Sequence, residues 1–415
     1  MRECGDYECD IGCDMKKGWE IKDLEKVCNF QNGFAFKSKT FKENGVPVVR
    51  ISNIQNESIE SKGFVFIDMK DYAQDLSKYK IRKGDILIAM SGGTTGKIGI
   101  HRTEEVLLLN QRVGLFRPKD KLNKDFLYYY LSTKVEESLA ISAGAAQPNL
   151  STEQIKGFQI PLPPLPEQQR IVSILDHCFD AIDKAKANAE QNLQNARELF
   201  ESYLQGVFEK KGEGWETKTL GSLCKFSQGI QRDIKFQSEN QGENQVRFLR
   251  IIDFTQGCES PRYIDDPGSK YILTKDDVSL VRYGASTGFV CRGISGALAN
   301  NMFRVIPNDL NKLSNDFLYI YLLSPIFQSV IKGSMGGAAM PAISFGLIRD
   351  IPFPFPKLKQ QAEIVKRLEK VKEETQKLEF HYQKRINDLE ELKKSILQKA
   401  FAGELKTEKM MEEFS

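Results

Sequence analysis

The sequence predicts an α+β protein written twice, with two pseudo-symmetric mixed α/β domains separated by two long helices that form an antiparallel coiled coil. Three observations carry this reading. The chain repeats itself: "GWEIKDLEKVCNFQNG" from Gly18 returns as "GWETKTLGSLCKFSQG" from Gly214, a shift of 196. "KLNKDFLYYYLS" from Lys121 returns as "KLSNDFLYIYLLS" from Lys312, a shift of 191, and "GAAQPNLS" from Gly144 returns as "GAAMPAIS" from Gly337, a shift of 193. Second, Pro161 to Leu175, "PLPPLPEQQRIVSIL", packs four prolines into six positions and then takes up helical apolar spacing; it returns at the same 193-residue shift as "PKLKQQAEIV" from Pro356. Third, each unit between these straps shows short apolar runs bounded by turn residues.

In chain order, residues 1–16 read as a flexible tail and 17–160 as the first domain, with strands in "VPVVRISNI", "GDILIAM" and "LLLNQRVGLFRP". Residues 161–211 form a proline strap and a long helix. Proline fixes its own backbone and biases its predecessor toward extended shapes, so the strap should run extended and stop before Glu167. The second domain, 212–353, carries strands in "QVRFLRIIDF", "DVSLVRYG" and "ANNMFRVIP", and 354–415 repeats strap, helix and tail. "NKDFLYYYLST" and "NDFLYIYLLS" read as helices opened by asparagine or aspartate caps. The long helices carry heptad seams: Ile171, Leu175, Cys178, Ile182 and Leu199 in the first, and Ile364, Leu368, Val371, Leu378, Leu389, Leu392 and Ile396 in the second. Each seam needs a partner, and the two can bury each other.

Composition excludes more than it selects. No run of apolar residues is long enough for a membrane span, and the start lacks the order of a signal peptide, so a cytoplasmic protein is expected. Eight cysteines with no C-x-x-C pair and three histidines give neither a disulfide framework nor a zinc site. Cys4, Cys9 and Cys13 interleave with aspartates, but a frayed tail explains them more simply. A net charge of +3 means that any nucleic-acid affinity must come from local patches.

"SGGTTGK", Ser91 to Lys97, invites a phosphate-loop reading and fails it: Ser91 stands where a glycine belongs, and Ile98 where the magnesium-binding hydroxyl belongs. The turn remains open to two readings, a hairpin or a place where backbone N–H groups and Lys97 meet a DNA phosphate. The chain carries no recognisable motif for amino methylation, acyl transfer or metal hydrolysis. No catalytic or metal-binding residue is expected.

What remains is recognition. Arg, Asn and Gln read base edges with paired hydrogen-bonding groups, and Lys, Arg and backbone N–H groups hold phosphates. Such residues crowd the loops of both domains. The candidates are Gln31, Asn32, Lys37, Lys39, Arg50, Asn53, Lys97, Gln111 and Arg112 in the first, and Gln228, Gln231, Arg232, Lys235, Arg250, Arg292, Asn300 and Asn301 in the second. A coiled-coil scaffold without a DNA role and a stand-alone DNA-modifying enzyme stay open as alternatives; the first leaves these loops without a purpose, and the second lacks a motif.

The strap and helix "PLPPLPEQQRIVSILD", the loop "SGGTTGKIG", the "GAAQPNLS" turn and their second copies, ending in "ILQKAFAGEL", together resemble the specificity subunit of a type I restriction-modification system. The resemblance implies two target recognition domains that each read half of a bipartite DNA site. It implies helices that set the gap and dock two methyltransferase subunits, with restriction and translocase subunits joined through them. It places S-adenosylmethionine, ATP and magnesium on those partners and no cofactor on this chain.

Overall fold

The structure, a computed structural model, describes residues 16–55, 58–142, 149–257, 260–334 and 342–405. The tail with Cys4, Cys9 and Cys13 lies outside these residues, as do the first parts of the two "GAA" motifs. The chain divides into two compact units, Met1–Asn188 with Arg385–Ser415, and Ala189–Lys384. Each long helix therefore gives one half to each unit.

In the first unit a six-stranded sheet runs Cys28–Asn32, Val113–Pro118, Ile86–Ala89, Ile98–Ile100, Ser58–Ile59 and Ile54–Gln55. Beside it a four-stranded sheet orders Val65–Ile67, Val46–Val49, Leu107–Leu109 and Lys80–Ile81. Ile86, Leu87, Ile88 and Ala89 are all buried because this strand is covered on both faces. Arg117 reaches across to Asp85 with Nη2 2.6 Å from Oδ2, and the carboxylate in turn raises the arginine's pKa. The second unit repeats this plan. One sheet is Cys224–Gln228, Met302–Pro307, Val278–Val281 and Val290–Cys291; the other is Arg262–Asp265, Gln245–Leu249, Gly296–Leu298 and Ile272–Leu273. Arg304 and Asp277 stand for Arg117 and Asp85.

The helix Lys124–Thr133 is capped by Asn123, whose side chain accepts from the N–H groups of Asp125 and Phe126. Its counterpart Asn315–Leu323 is capped by Ser314, not by the Asn or Asp that the sequence suggests. The hydroxyl performs the same acceptor role and leaves Asn315 in the first turn.

The proline straps open as strands. Gln159–Leu162 pairs antiparallel with Glu20–Asp23, and Pro352–Phe355 pairs with Glu216–Thr219. Both are two-stranded sheets, so Pro161, Pro352 and Pro354 sit on edge strands, where a missing N–H can face away from the partner. Each strand also crosses the domain boundary drawn from the sequence, at 160/161 and at 353/354. The first long helix is Leu165–Glu209, beginning two residues before the expected Glu167. Pro166 falls in the first turn, where its N–H would be unpaired anyway.

What joins strap to helix is a glutamine. Gln168 is fully buried; its Oε1 accepts from Asn123 N at 2.8 Å, and its Nε2 donates to Lys121 O at 3.0 Å and Pro163 O at 2.8 Å. Gln361 does the same with Ser314 N, Lys312 O and Pro356 O. The motif is thus a clasp that closes on the main chain with all its partners satisfied.

The second long helix is Leu358–Phe401. In the first unit Lys186 pairs with Glu390 at 2.7 Å and Asp183 with Lys393 at 3.6 Å; in the second, Arg197 pairs with Glu379 at 3.6 Å. In the first unit rising numbers on one helix meet falling numbers on the other, so the pairing there is antiparallel. Ile171, Leu175, Ile182 and Leu368 are buried, while Cys178, Ile364, Val371, Leu389 and Ile396 are half-buried. Leu199, Leu378 and Leu392 are a correction, exposed at 51%, 40% and 46%. Buried near them instead are Leu193 and Ala196 on the first helix and Ile386 on the second. A helix of 3.6 residues per turn drifts about 20° per heptad against a strict 3.5 repeat, which moves the stripe one residue on. Near the end of the first helix, Leu204 and Phe208 join the core of the second domain instead of a coiled-coil seam.

Candidate nucleic-acid interface

Strand register decides which loops meet. In the first domain Gly114 faces Asn32 and Val113 faces Ala89, so Cys28–Asn32 and Ile86–Ala89 end where Val113–Pro118 begins. Val46–Val49 lies parallel to Leu107–Leu109, with Val49 beside Leu109, and ends at the same place. Asn110 N donates to Val49 O and Gln111 N to Phe34 O, which ties the turn after Leu109 to both neighbouring loops. Gly33 is required here, because a Cβ would sit 2.1 Å from Asn110 O. The second domain repeats the convergence: Gln228, Val281 and Leu249 end their strands around the turn Ala299–Asn301, and Gly229 is the close glycine. The described end of each "GAA" motif docks there too, as Leu150 N donates to Met90 O and Ile343 N to Arg282 O.

This convergence gathers many of the sequence candidates. Gln31 donates to Lys78 O, Asn32 donates to Thr152 Oγ1, and Gln111 and Arg112 are exposed on the 110–112 turn. Lys37 and Lys39 are exposed on the loop after Asn32, flanking and within a short 3₁₀ turn, Ser38–Thr40. Lys97 is exposed and donates to Gln55 Oε1 at 3.0 Å. The loop that carries it is a hairpin: Gly96 N donates to Ala89 O and Ala89 N to Lys97 O. Gly96 has φ +83° and packs against the backbone of Val135, which accounts for its glycine without a phosphate. Arg50 is half-buried and its Nη2 donates to Gly63 O. Asn53 leaves the set. It is fully buried, its Oδ1 accepting from Arg50 N and its Nδ2 donating to Glu60 O and Lys62 O, so no amide edge remains for a base.

In the second domain Gln231, Arg232, Arg250, Asn300 and Asn301 share a cavity of about 350 Å³, floored by Phe248. Asn300 Nδ2 donates to Gln231 Oε1 at 3.3 Å, whereas Asn301 Oδ1 has no hydrogen-bond partner. Arg250 braces the wall, with Nε 3.1 Å from Asp253 Oδ2 and Nη2 donating to Ser260 O. Gln228 lies just behind, accepting from Arg282 Nη1 and donating to Asn300 O. Lys235 is exposed above, 4.9 Å from the ring centre of Phe236. Arg292 is not here. It follows Val290–Cys291, which runs back antiparallel to Val278–Val281, so it stands at the opposite end of the sheet and pairs with Asp316.

Three contributors escaped the sequence reading. Gln237 and Arg262 complete the cavity, and Arg282 stacks between Tyr283 and Phe345 while holding Gln228. Arg282 follows the strand "DVSLV" directly, and that position was the available signal. Among the described residues no group of three or more His, Cys, Asp or Glu side chains is gathered as a metal would need, and no helix is long and apolar enough to cross a membrane. Burial raises the thiols of Cys28, Cys224 and Cys291 to about 12, which makes them poor nucleophiles.

The family model described as "Type I restriction modification DNA specificity domain" matches residues 16–193 and again 212–391. Among curated relatives, the type I restriction enzyme EcoBI specificity subunit of Escherichia coli is 25% identical over 93% of this chain and 86% of its own length. A chain solved in a study of complex assembly and conformational transition of the type I R-M system matches with a TM-score of 0.77 at 21% identity, over 94% of this chain and 100% of its own. The HsdS subunit from Thermoanaerobacter tengcongensis matches with a TM-score of 0.59 at 19% identity, over 95% of this chain and 100% of its own.

Proposed function

Because the chain belongs to the type I restriction-modification DNA specificity family, twice matched, we propose that it is the non-catalytic DNA-reading subunit of such a system, taking one half-site of a bipartite site on each domain. The observation that supports this most is the convergence at one sheet end in both domains. The frame is the same, yet the first domain offers Asn32, Lys97, Gln111 and Arg112 where the second offers Gln231, Arg232, Asn300 and Asn301. Two surfaces of one construction and different chemistry suit two different half-sites.

The long helices act as a ruler and as the docking surface for two methyltransferase subunits, through which restriction subunits join. At 1.5 Å per residue the 45-residue first helix is roughly 68 Å long, enough to hold a fixed gap between half-sites. S-adenosylmethionine, ATP and magnesium belong on the partners, and the complex works in the cytoplasm.

The test is a methylation map of DNA exposed to the chain assembled with its methyltransferase subunits. A two-part motif is expected. Arg112→Ala should relax the first half alone, and Lys97→Ala should weaken binding evenly and lower the salt slope by about 1. Exchange of residues 212–353 for a relative's domain should change the second half alone. A map in which Arg112→Ala alters both halves, or in which no two-part motif emerges, sinks the reading.

A further inference from the structure

The same short turn is built into both domains with its polarity reversed. Gly33 and Gly229 fix the correspondence, each pressed on the backbone of the converging turn. Five residues on, the chain makes a 3₁₀ turn, Ser38–Thr40 in the first domain and Ile234–Phe236 in the second. In the first domain the inward residues are apolar: Phe36 is 8% exposed and packs on Phe34 and Tyr72, while the turn shows water Ser38 and Lys39. In the second, the residues matching Phe36 and Phe41 are Arg232 and Gln237, which line the cavity, and the turn itself exposes Ile234 at 81% and Phe236 at 57%.

A soluble surface gains nothing from this arrangement, and an exposed apolar pair rimmed by polar groups marks a contact site. The rim says what is contacted. Arg232, Lys235, Gln231 and Asn300 are groups that hold phosphates and base edges, and they stand at the sheet end already described. Of the carboxylates nearby, Asp253 pairs with Arg250 at 3.1 Å and Glu239 with Arg262 at 2.9 Å, while Asp233 opens the turn with its main-chain carbonyl accepting from Phe236 N. Phe and Ile are side chains that press on the apolar parts of DNA, the thymine methyls or the faces of a parted base step.

We propose that Ile234 and Phe236 form an apolar reader of the second half-site, a device absent from the matching turn of the first domain; this rests on the DNA-recognition reading above. The amides and guanidinium of the cavity wall hold the adjoining base edges and backbone. Recognition is then unequal, polar in one half-site and partly apolar in the other.

The test uses the full chain with its methyltransferase subunits on a duplex carrying the mapped site. Ile234→Ser with Phe236→Ser should weaken cognate binding at least tenfold and leave binding to random duplex within about twofold. Uracil for thymine, and 2-aminopurine at each step of the second half-site, separate the two apolar targets. The parent should lose affinity at one uracil or brighten one 2-aminopurine, and the double variant should lose that response. Both side chains are exposed, so an unchanged melting profile shows that the fold is kept, and Phe236→Leu should recover most of the affinity. A double variant with the parent's cognate-to-random ratio, or a parent silent to every uracil and 2-aminopurine, overturns the proposal while leaving DNA recognition standing. A parent without site preference overturns both.

Discussion

Lys186 Nζ stands 2.7 Å from Glu390 Oε1, and the 193-residue repeat carries this pair onto Glu379 and Arg197, a second ion pair with its signs exchanged. In the same register, either helix paired with a copy of itself would set Lys186 beside Arg197 or Glu379 beside Glu390. Like charges oppose that arrangement, so the heterotypic pairing is written into the helix surfaces as well as into their seams.

Lys186→Glu should therefore lower stability at neutral pH by about 0.5 kcal/mol, the scale of an exposed pair, and Glu390→Lys added to it should restore the loss. The Glu390 carboxyl is held below its ordinary range by the hydrogen bond from Lys186 and then by its charge. A depressed carboxyl contributes above its unfolded pKa and ceases to as pH falls through the folded value. The gap between parent and Lys186→Ala should accordingly be full at pH 7 and close in acid, below the ordinary 4.5, in urea unfolding read at each pH.

The clasp predicts a much larger effect. Gln168→Leu strands Asn123 N, Lys121 O and Pro163 O in a buried place, and each orphaned group costs about 1–3 kcal/mol. A loss of several kcal/mol is expected in chemical denaturation, and the same for Gln361→Leu. In Gln168→Glu two carbonyls face a carboxylate, whose folded pKa must rise above the unfolded one; this variant should recover stability as pH falls. Insensitivity of that variant to pH would show that the clasp is not closed as described.

The hairpin reading of the glycine loops makes a paired prediction. Gly288 has φ +88°, and a Cβ would lie 2.9 Å from Ile331 Cγ2, so Gly288→Ala should destabilise by roughly 1–3 kcal/mol. Gly93 has open space around it and no positive φ, so Gly93→Ala should keep the parent's melting temperature. Equal tolerance at both positions would remove the steric account of the loop.

The repeat, the two mixed domains and the antiparallel helices were legible because each rests on a long pattern: a register kept over most of the chain, or apolar residues at a sustained period. Strap and seam were legible only in outline. Prolines read as a free extended segment because pairing with Glu20–Asp23, over a hundred residues away, leaves no local trace. Leu199 and Leu378 read as seam because a heptad template cannot follow the drift of a real helix. At the candidate surface, many of the residues chosen by type gather at one sheet end, and a few do not. Asn53 and Arg292 have the right chemistry, but burial and strand direction, which type does not encode, send them elsewhere. Ile234 and Phe236 were passed over for the opposite reason, since apolar residues near strands read as core.

Both clasps close on main-chain atoms alone: a glutamine side chain at each helix start grips two carbonyls and one N–H. Every amino acid carries the carbonyl and all but proline the N–H, and the joint is therefore nearly indifferent to which domain it holds. A gene spliced at the strap from a distant relative would bring a foreign reading head onto the resident helix without needing a matching joint. Novelty in what is read then comes at little cost to what folds, and inheritance can shuffle heads while the shaft stays fixed.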